Sequence, residues 1–208
     1  IGTYVGMDNG PDGASHHANE DIALMRMIPN MKILVPSNIK ELKQSIKIAI
    51  ECDGPVYIRV TRDVVPDIDL EQDSQMGRSI IVKDYGNDFA LLYEGTTAGL
   101  SYDAFEELKR KGYNGKLINV FSIKPIDIEL INNLTSTVKG VVTVENHSIL
   151  GGLGGAVAEI VAQKPQHAKI AYIGVQDVFT ESGKALDVKE KYGLNIKNVV
   201  TTVENVMQ

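Results

Sequence analysis

The residues between Gly10 and Met31 bring several chemically reactive side chains into one short stretch, GPDGASHHANEDIALMRMIPNM. Its two glycines, at positions 10 and 13, favour tight turns and a close approach of the backbone to a bound molecule. Asp12 and His16 are four positions apart, just before a predicted helix, where a carboxylate and an imidazole can face one small ligand. Alternatively, Asp12 and Asn19 are turn and capping residues and the histidines are simply exposed. Composition alone leaves both interpretations open.

The overall composition excludes several classes of function. The chain has 208 residues, of which 43% are hydrophobic, enough to bury a core in one large or two small domains. A formal net charge of -6 gives no broad attraction for nucleic-acid phosphates or anionic lipids. The sequence contains neither a membrane-spanning apolar run nor a signal-peptide pattern. Cys52 is its only cysteine, which excludes a disulfide framework and is compatible with a cytoplasmic protein.

The elements that must position the opening stretch follow it directly. KILV, from Lys32 to Val35, predicts a strand, and Asn38 with Glu41 has the spacing of a capping box at a helix start. VYIRVT, residues 56–61, alternates as a strand does. The sequence therefore predicts a strand, helix, strand unit. The apolar residues of its helix recur at helical spacing: Ile39, Leu42, Ile46, Ala49 and Ile50.

A change of composition divides the chain into two predicted domains. The stretch from Asp63 to Gly77 carries five acidic residues and no basic one, and it loses all periodicity. These features are typical of an exposed linker between domains. We expect a first domain over residues 1–63, a linker over residues 64–77 and a second domain over residues 78–208.

The second predicted domain alternates between strands and helices. RSIIVK, FALLY, KLINVF, VVTVE and KIAYI are strand candidates, and helices are expected after Asp127 and after the glycine run that begins at Gly151. A helix with its apolar residues on one side is predicted to end at Gly112. The tail from Ile196 to Met207 is also predicted to be helical. This alternation predicts the α/β class with a mostly parallel sheet.

The motifs together resemble the transketolase family. DGASHHANEDIALMRMIPNM, LVPSN and GPVYIRVTR are similar to the pyrimidine-domain pattern D-G-[PA]-[ST]-H-Q-x-x-E-D-x-A-x-x-R-x-I-P-N-M and its continuation. FSIKPID, VTVENHSILGGLGGAVAE and GVQDVFTESG are similar to the transketolase C-terminal domain in order and spacing. The resemblance covers nearly the whole chain. It implies the C-terminal part of a pyrimidine-binding domain over residues 1–63 and a transketolase C-terminal domain over residues 78–208.

The resemblance also implies a reaction and a set of substrate contacts. Members of the family transfer a two-carbon ketol unit between phosphosugars with thiamine diphosphate. By this resemblance Asp12 accepts a hydrogen bond from a sugar hydroxyl, and His16 contacts a substrate oxygen and donates or relays a proton as the catalytic residue. Arg62 would hold the sugar phosphate, and Arg59 is a further phosphate candidate. The alternatives are an ion pair of Arg62 with Asp63 or with the acidic linker, and a structural role of Arg59 in the sheet.

Several matched positions carry a different expectation. Tyr4 stands where many relatives have a phosphate-binding histidine, and His17 replaces the usual glutamine. Because of these two departures, the resemblance does not determine which residues contact the phosphate or which sugar is bound. Glu20, Asp21 and Arg26 match family positions, and we interpret them as residues that anchor a helix to its neighbours.

The glycine run from Gly151 to Gly155 allows two interpretations. It opens a predicted helix whose backbone N–H groups could bind an anion, or it permits close helix packing. We favour packing. His147, just before the run, is a minor site candidate, and His167 in a polar loop receives no role.

The resemblance places the cofactor site largely outside this chain. The family's activating glutamate, its stacking aromatic residues and the G-D-G...N loop that holds the diphosphate with Mg²⁺ or Ca²⁺ have no counterpart here. We therefore predict no cofactor-binding or metal-binding residue in this chain. We expect a homodimer that works with an N-terminal transketolase section or subunit, and the chain is then either a genuine subunit or a fragment.

Three alternatives to a transketolase portion stay open. They are a 2-oxo-acid dehydrogenase β-type subunit, a portion of a deoxyxylulose-phosphate synthase, and a non-catalytic dimerisation module.

Overall fold

The computed structural model describes residues 1–68 and 70–208. Asp69, inside the predicted linker, lies outside the described residues. The first half contains α1 (Asp21–Met27), β1 (Lys32–Leu34), α2 (Ile39–Glu51) and β2 (Val56–Ile58). The rest of the chain continues with β3 (Ile80–Asp84), β4 (Phe89–Tyr93), α3 (Ala98–Arg110), β5 (Lys116–Asn119), β6 (Ser122–Lys124), α4 (Ile128–Thr137), β7 (Gly140–Ser148), α5 (Leu153–Val161), β8 (Lys169–Val175), α6 (Ala185–Lys191) and α7 (Ile196–Val206).

A five-stranded sheet forms the centre of the second half, in the order β3-β5-β4-β7-β8. Strands β4, β5, β7 and β8 are parallel, and only the edge strand β3 runs antiparallel to its neighbour β5. Helices cover both faces of this sheet, as a mostly parallel sheet requires. The predicted α/β class with a mostly parallel sheet is therefore confirmed.

Strand β4, FALLY, shows why the sheet needs helices on both sides, because all five of its residues are buried. Phe89, Leu91 and Tyr93 belong to one hydrophobic cluster, and Ala90 and Leu92 belong to the other. The first cluster also contains side chains of α3 and α7, and the second contains side chains of α4 and α5. The second cluster extends into the first half of the chain through Ile22, Ile33 and Val35.

A smaller sheet joins the two halves of the chain, in the order β2-β1-β6. Strand β2 is parallel to β1, as expected for the strand, helix, strand unit. Strand β6 belongs to the second half and runs antiparallel to β1, with Ile33 opposite Lys124 and Leu34 opposite Ser122. Strand β6 lies within the FSIKPID motif and was not among the strands predicted from the sequence.

The helix predictions are confirmed, including several ends. Asn38 caps α2, since its side chain accepts a hydrogen bond from the backbone N–H of Glu41. The tail forms α7, as predicted. Helix α3 ends just before Gly112, whose φ of 92° suits glycine. No helix among the described residues has both the length and the apolar character needed to cross a bilayer.

Helix α2 buries a polar side, whereas three of its five predicted apolar residues are exposed and Leu42 and Ala49 are half-buried. Ile39, Ile46 and Ile50 are all exposed, and Glu41 and Ser45 are the buried residues of this helix. The Glu41 carboxylate accepts hydrogen bonds from the backbone N–H and hydroxyl of Ser37, at 2.7 and 2.6 Å. It also accepts one from the Asn119 amide at 2.7 Å.

The predicted linker forms neither helix nor strand among the residues described. It is not fully exposed, however, which corrects the prediction. Leu70 and Ser74 are buried, and the Ser74 hydroxyl donates to Glu41. The Asn38 amide donates to the carbonyl of Ile68 at 3.0 Å. The linker is therefore held against α2, and the bounds of the two domains stay a prediction.

We expect Glu41→Ala to lower the free energy of unfolding by about 3 kcal/mol, because it leaves several buried donors unpaired. Glu51→Ala, at the exposed end of the same helix, is the control and should change it by less than about 0.5 kcal/mol. Urea denaturation followed by circular dichroism measures both. Equal losses in the two variants would contradict the role of Glu41 as a buried anchor.

Candidate active site

The structure brings three of the four predicted site residues together on an exposed surface. Arg62 donates to the Tyr4 hydroxyl at 2.8 Å, and its guanidinium lies 3.8 Å from the Asp12 carboxylate. The Arg62 guanidinium carbon is 5.3 Å from the centre of the Tyr4 ring, and the Tyr4 and His16 rings are 6.0 Å apart. We call Asp12, His16, Arg62 and Tyr4 the exposed cluster.

Two short turns position this cluster. Gly10–Asp12 and Ala14–His16 each form a single 3₁₀ turn, and Gly13 joins them with a φ of 77°. This positive φ is one that glycine adopts without strain. Arg62 reaches the turns from the segment that follows β2. The sequence marks Tyr4 only as a departure from the family, and its contact with Arg62 is a finding of the structure.

The exposed cluster has free capacity for hydrogen bonding. The Arg62 side chain is 60% exposed. It contacts Asp12 and Tyr4 rather than Asp63, the partner that the alternative interpretation predicted. In the described part of the chain, the Tyr4 hydroxyl is the one hydrogen-bond acceptor of this guanidinium, so its other N–H groups can bind an anion. His16 contacts the Ser15 hydroxyl through Nδ1 at 3.0 Å. Among the same described residues its Nε2 has no hydrogen-bond partner, so this atom can meet a substrate oxygen.

The structure gives Arg59 a different role from the predicted phosphate contact. Its side chain is fully buried. Nε donates to Asp21 at 2.8 Å, and Nη1 donates to both oxygens of Glu94 at 3.3 Å. Nη2 donates to the carbonyls of Ala18 and Asn146, at 3.2 and 2.8 Å. All the guanidinium donors are engaged, so none is left for a sugar phosphate.

The two carboxyl groups beside Arg59 respond differently to burial. Burial acts to raise the pKa of Asp21, but attraction to Arg59 and hydrogen bonds from Arg59 and Tyr57 outweigh it and lower this pKa. Burial raises the pKa of Glu94, and Arg59 opposes this shift only in part. Asp21 also makes the shorter contact with Arg59, at 2.8 Å against 3.3 Å for Glu94.

Helix α1 is anchored as the sequence analysis expected. The Tyr57 hydroxyl donates to Asp21 at 2.8 Å. Arg26 donates to Glu159 and to the carbonyl of Gly151, both at 2.6 Å. Glu20 precedes the helix without capping it through its side chain. Asp21 and Arg26 therefore act as structural residues here.

The carboxyl group of Glu145 occupies the start of α5, which lies within the glycine run. Glu145 accepts hydrogen bonds from the backbone N–H groups of Leu153 and Gly154, at 2.7 and 3.0 Å. A Cβ on Gly152 would lie 1.9 Å from the Glu145 carboxylate. Close packing therefore requires glycine here, and the place of an external anion is taken.

His147 is a structural residue rather than a site residue. It is fully buried, and its Nδ1 lies 2.6 Å from the Ser148 carbonyl, to which it donates. Its Nε2 accepts from the backbone N–H of Ala23 at 3.3 Å. Burial lowers the pKa of His147 to about 4, so the ring is neutral at physiological pH.

The described residues do not fit the metal ion that accompanies thiamine diphosphate. Across residues 1–68 and 70–208, no group of three or more His, Cys, Asp or Glu side chains could hold a metal ion. Three buried carboxyl groups are engaged, since Asp21 and Glu94 bind Arg59 and Glu145 caps α5. These three carboxyl groups are therefore already used within the chain.

We expect Arg59→Met to lower the free energy of unfolding by about 4 kcal/mol, because it leaves two buried carboxyl groups without their cation. Arg62→Met is the matched control and should change it by less than about 0.5 kcal/mol. Urea denaturation of both variants tests this assignment. A larger loss for Arg62→Met would reverse it.

Burial raises the pKa of Glu145 to about 8, from an ordinary value of 4.5, so its carboxyl group holds a proton more firmly in the folded state. Its contribution to stability is complete below pH 4.5 and is lost as the pH rises through about 8. We expect the free energy of unfolding to fall by about 1–2 kcal/mol between pH 6.5 and 8.5, and by less in Glu145→Gln. Urea denaturation at both pH values measures the difference. The same fall in both proteins would contradict this assignment.

Two family models match the chain. The transketolase pyrimidine binding domain matches residues 1–67, and the transketolase C-terminal domain matches residues 77–199. A protein described as a transketolase C-terminal section, from Methanocaldococcus jannaschii, is 37% identical over all of this chain and 66% of its own length. One of the subunits of the apulose-4-phosphate transketolase of Phocaeicola vulgatus is 32% identical over 97% of this chain and 64% of its own length.

A solved structure has the same fold over nearly the whole chain. A split-gene transketolase, described as an inactive β4 tetramer, matches with a TM-score of 0.90 and 36% identity, over 99% of this chain and 65% of that one. The chain thus spans about two thirds of the length of these relatives. Because the two domain models cover most of its residues, this chain belongs to the transketolase family.

Proposed function

We propose that this chain is the C-terminal portion of a transketolase that transfers a two-carbon ketol unit between phosphosugars when it is assembled with an N-terminal section or subunit. The observation that carries the proposal is the exposed cluster. It gathers a carboxylate, an imidazole and a guanidinium at the positions that match the family's substrate residues. Relatives that are split-gene transketolases or transketolase subunits support the need for a partner section.

Each member of the cluster has a separate task in this proposal. Asp12 accepts a hydrogen bond from a sugar hydroxyl and fixes the orientation of the chain of carbons. Arg62 binds the phosphate. To do so it gives up its present contact with the Asp12 carboxylate, which lies 3.8 Å away. Tyr4 keeps the guanidinium in place through its hydroxyl and ring. His16 holds or moves a proton at Nε2.

The cofactor belongs to the partner section in this proposal. Thiamine diphosphate supplies the carbon–carbon bond chemistry when it is bound. We assign it and its Mg²⁺ or Ca²⁺ to the partner, since no group of three or more His, Cys, Asp or Glu side chains among the described residues could hold the metal ion. The contribution of this chain is to bind and orient the sugar.

We also propose that two copies of the chain pair in a cytoplasmic enzyme. The large apolar side chains of Met27, Phe179 and Leu186 are each at least 79% exposed and are therefore available for contact with a second chain. The related split-gene transketolase is described as a β4 tetramer, which supports self-association of such chains. Size-exclusion chromatography with light scattering distinguishes a dimer from a monomer and from a tetramer.

We expect Asp12→Asn and His16→Gln to lower kcat/KM for ketol transfer by about a hundredfold, because each removes a contact to the reacting sugar. The assay uses the chain reconstituted with its partner section, with xylulose 5-phosphate and ribose 5-phosphate. Asp63→Asn is the matched control, since Asp63 is an exposed neighbour outside the cluster. It should stay within twofold of the parent protein.

Two results would overturn this proposal. Rates unchanged by both substitutions would leave only the assembly function. Turnover of pyruvate in place of a ketose donor would favour a deoxyxylulose-phosphate synthase, a class that includes a relative 30% identical to this chain, from Heliobacterium modesticaldum. Relatives named for apulose 4-phosphate and for 6-deoxy-6-sulfo-D-fructose make these two sugars the next substrates to test.

A further inference from the structure

The turns that carry the exposed cluster rest on a loop of the second half of the chain. We call residues 9–17 the substrate loop and residues 176–184 the supporting loop. The backbone N–H of Gly183 donates to the carbonyl of Gly10 at 2.9 Å. A Cβ on Gly13 would lie 2.3 Å from the Ser182 hydroxyl, so only glycine permits this approach. The two loops are therefore in direct contact along their length.

A buried hydrogen-bond network joins the same two loops. His17 Nε2 lies 3.1 Å from the carbonyl of Asn9, and His17 Nδ1 lies 2.6 Å from the hydroxyl of Thr180. The Asn19 amide also donates to the Thr180 hydroxyl, at 3.3 Å. His17, Asn19 and Thr180 are all buried. The side chain that departs from the family pattern at position 17 thus has a partner in the supporting loop.

The hydrogen-bond partners of His17 assign the roles of its two ring nitrogens. A carbonyl oxygen only accepts hydrogen bonds, so Nε2 carries the hydrogen that points at Asn9. Nδ1 is then an acceptor, and the Thr180 hydroxyl donates to it. This hydroxyl accepts from Asn19 at the same time, so both of its hydrogen-bonding capacities are used.

The carbonyl of Asn9 links this network to the exposed cluster. It accepts one hydrogen bond from the His17 ring and another from the backbone N–H of Asp12, at 2.9 Å. His16, next to His17 in the chain, faces solvent while the His17 ring is buried. The His17 imidazole, hydrogen-bonded to Thr180, therefore fixes the backbone segment that carries Asp12 and His16.

We infer that Thr180 is a positioning residue, which through His17 holds the substrate loop in the geometry that places Asp12 and His16 for the sugar. The inference rests on the proposed function for the role of those two residues. The second half of the chain, in addition to any role in assembly, then determines the shape of the sugar-binding surface.

The first test examines the full chain by NMR and needs no substrate. Long-range ¹H–¹⁵N spectra report which ring nitrogen of a histidine carries the proton, and the signals missing in His17→Gln identify His17. We expect the Nε2–H tautomer in the parent protein and in Thr180→Ser, which keeps the hydroxyl. Thr180→Val has the same shape without the donor, so it should shift the ¹⁵N signal of Nδ1, which loses its hydrogen bond, while the Asn9 carbonyl keeps the proton on Nε2. An unshifted Nδ1 signal in Thr180→Val would overturn the inference.

The second test measures hydrogen exchange of the substrate loop. We expect the Asp12 amide to exchange about tenfold faster in Thr180→Val, because the loop loses its buried support. Thr135→Val is the matched control, since it removes a buried hydroxyl that donates within α4 to the carbonyl of Ile131. It should leave exchange in the loop unchanged. Equal effects of the two valine variants would overturn the inference.

The third test uses the enzyme assembled with its partner section. Thr180→Val should lower kcat/KM for ketol transfer by about tenfold, with Thr180→Ser and Thr135→Val close to the parent protein. If Thr180→Val matches Thr135→Val in rate, the positioning role is overturned. If the parent assembly transfers no ketol unit, the proposed function fails, and the NMR and exchange results still decide whether Thr180 holds the loop.

Discussion

The buried guanidinium of Arg59 is the contact on which the arrangement of the two halves depends. It extends from the end of β2 and binds a carboxylate of the first half, Asp21, and one of the second half, Glu94. It also closes onto the carbonyls of Ala18 and Asn146. A buried cation is tolerated only when such partners surround it, so the geometry of all four groups is determined together. Helix α1 and the end of the substrate loop are therefore fixed relative to the large sheet.

Much of the fold follows from local patterns in the sequence. The apolar run of β4 predicts a strand that is buried on both faces, and Asn38 predicts the start of α2. Strand β6 escaped prediction because it has only three residues and directly follows another strand segment. The burial of Ser74 also has no local signal, since it depends on the carboxylate of Glu41.

The same holds for the candidate site: the residues of its motifs could be predicted from the sequence, but the contacts between distant segments could not. The resemblance selects Asp12, His16 and Arg62, and the structure places all three in one exposed cluster. Arg59 lies in the same VYIRVTR motif as Arg62, but its partner Glu94 is 35 residues away in the sequence. His17 and Thr180 are 163 residues apart. Neither pair can be found from spacing, because the contact exists only once the two halves have come together.

The pairing of β6 with β1 has a consequence for the order of events during synthesis. A ribosome releases the first half of the chain well before residues 122–124, so the nascent β1 has one unpaired edge until β6 emerges. The small sheet is thus completed late, by a strand that arrives from the second half. Translation separates the two halves in time, and neither reaches its final form as an independent folding unit.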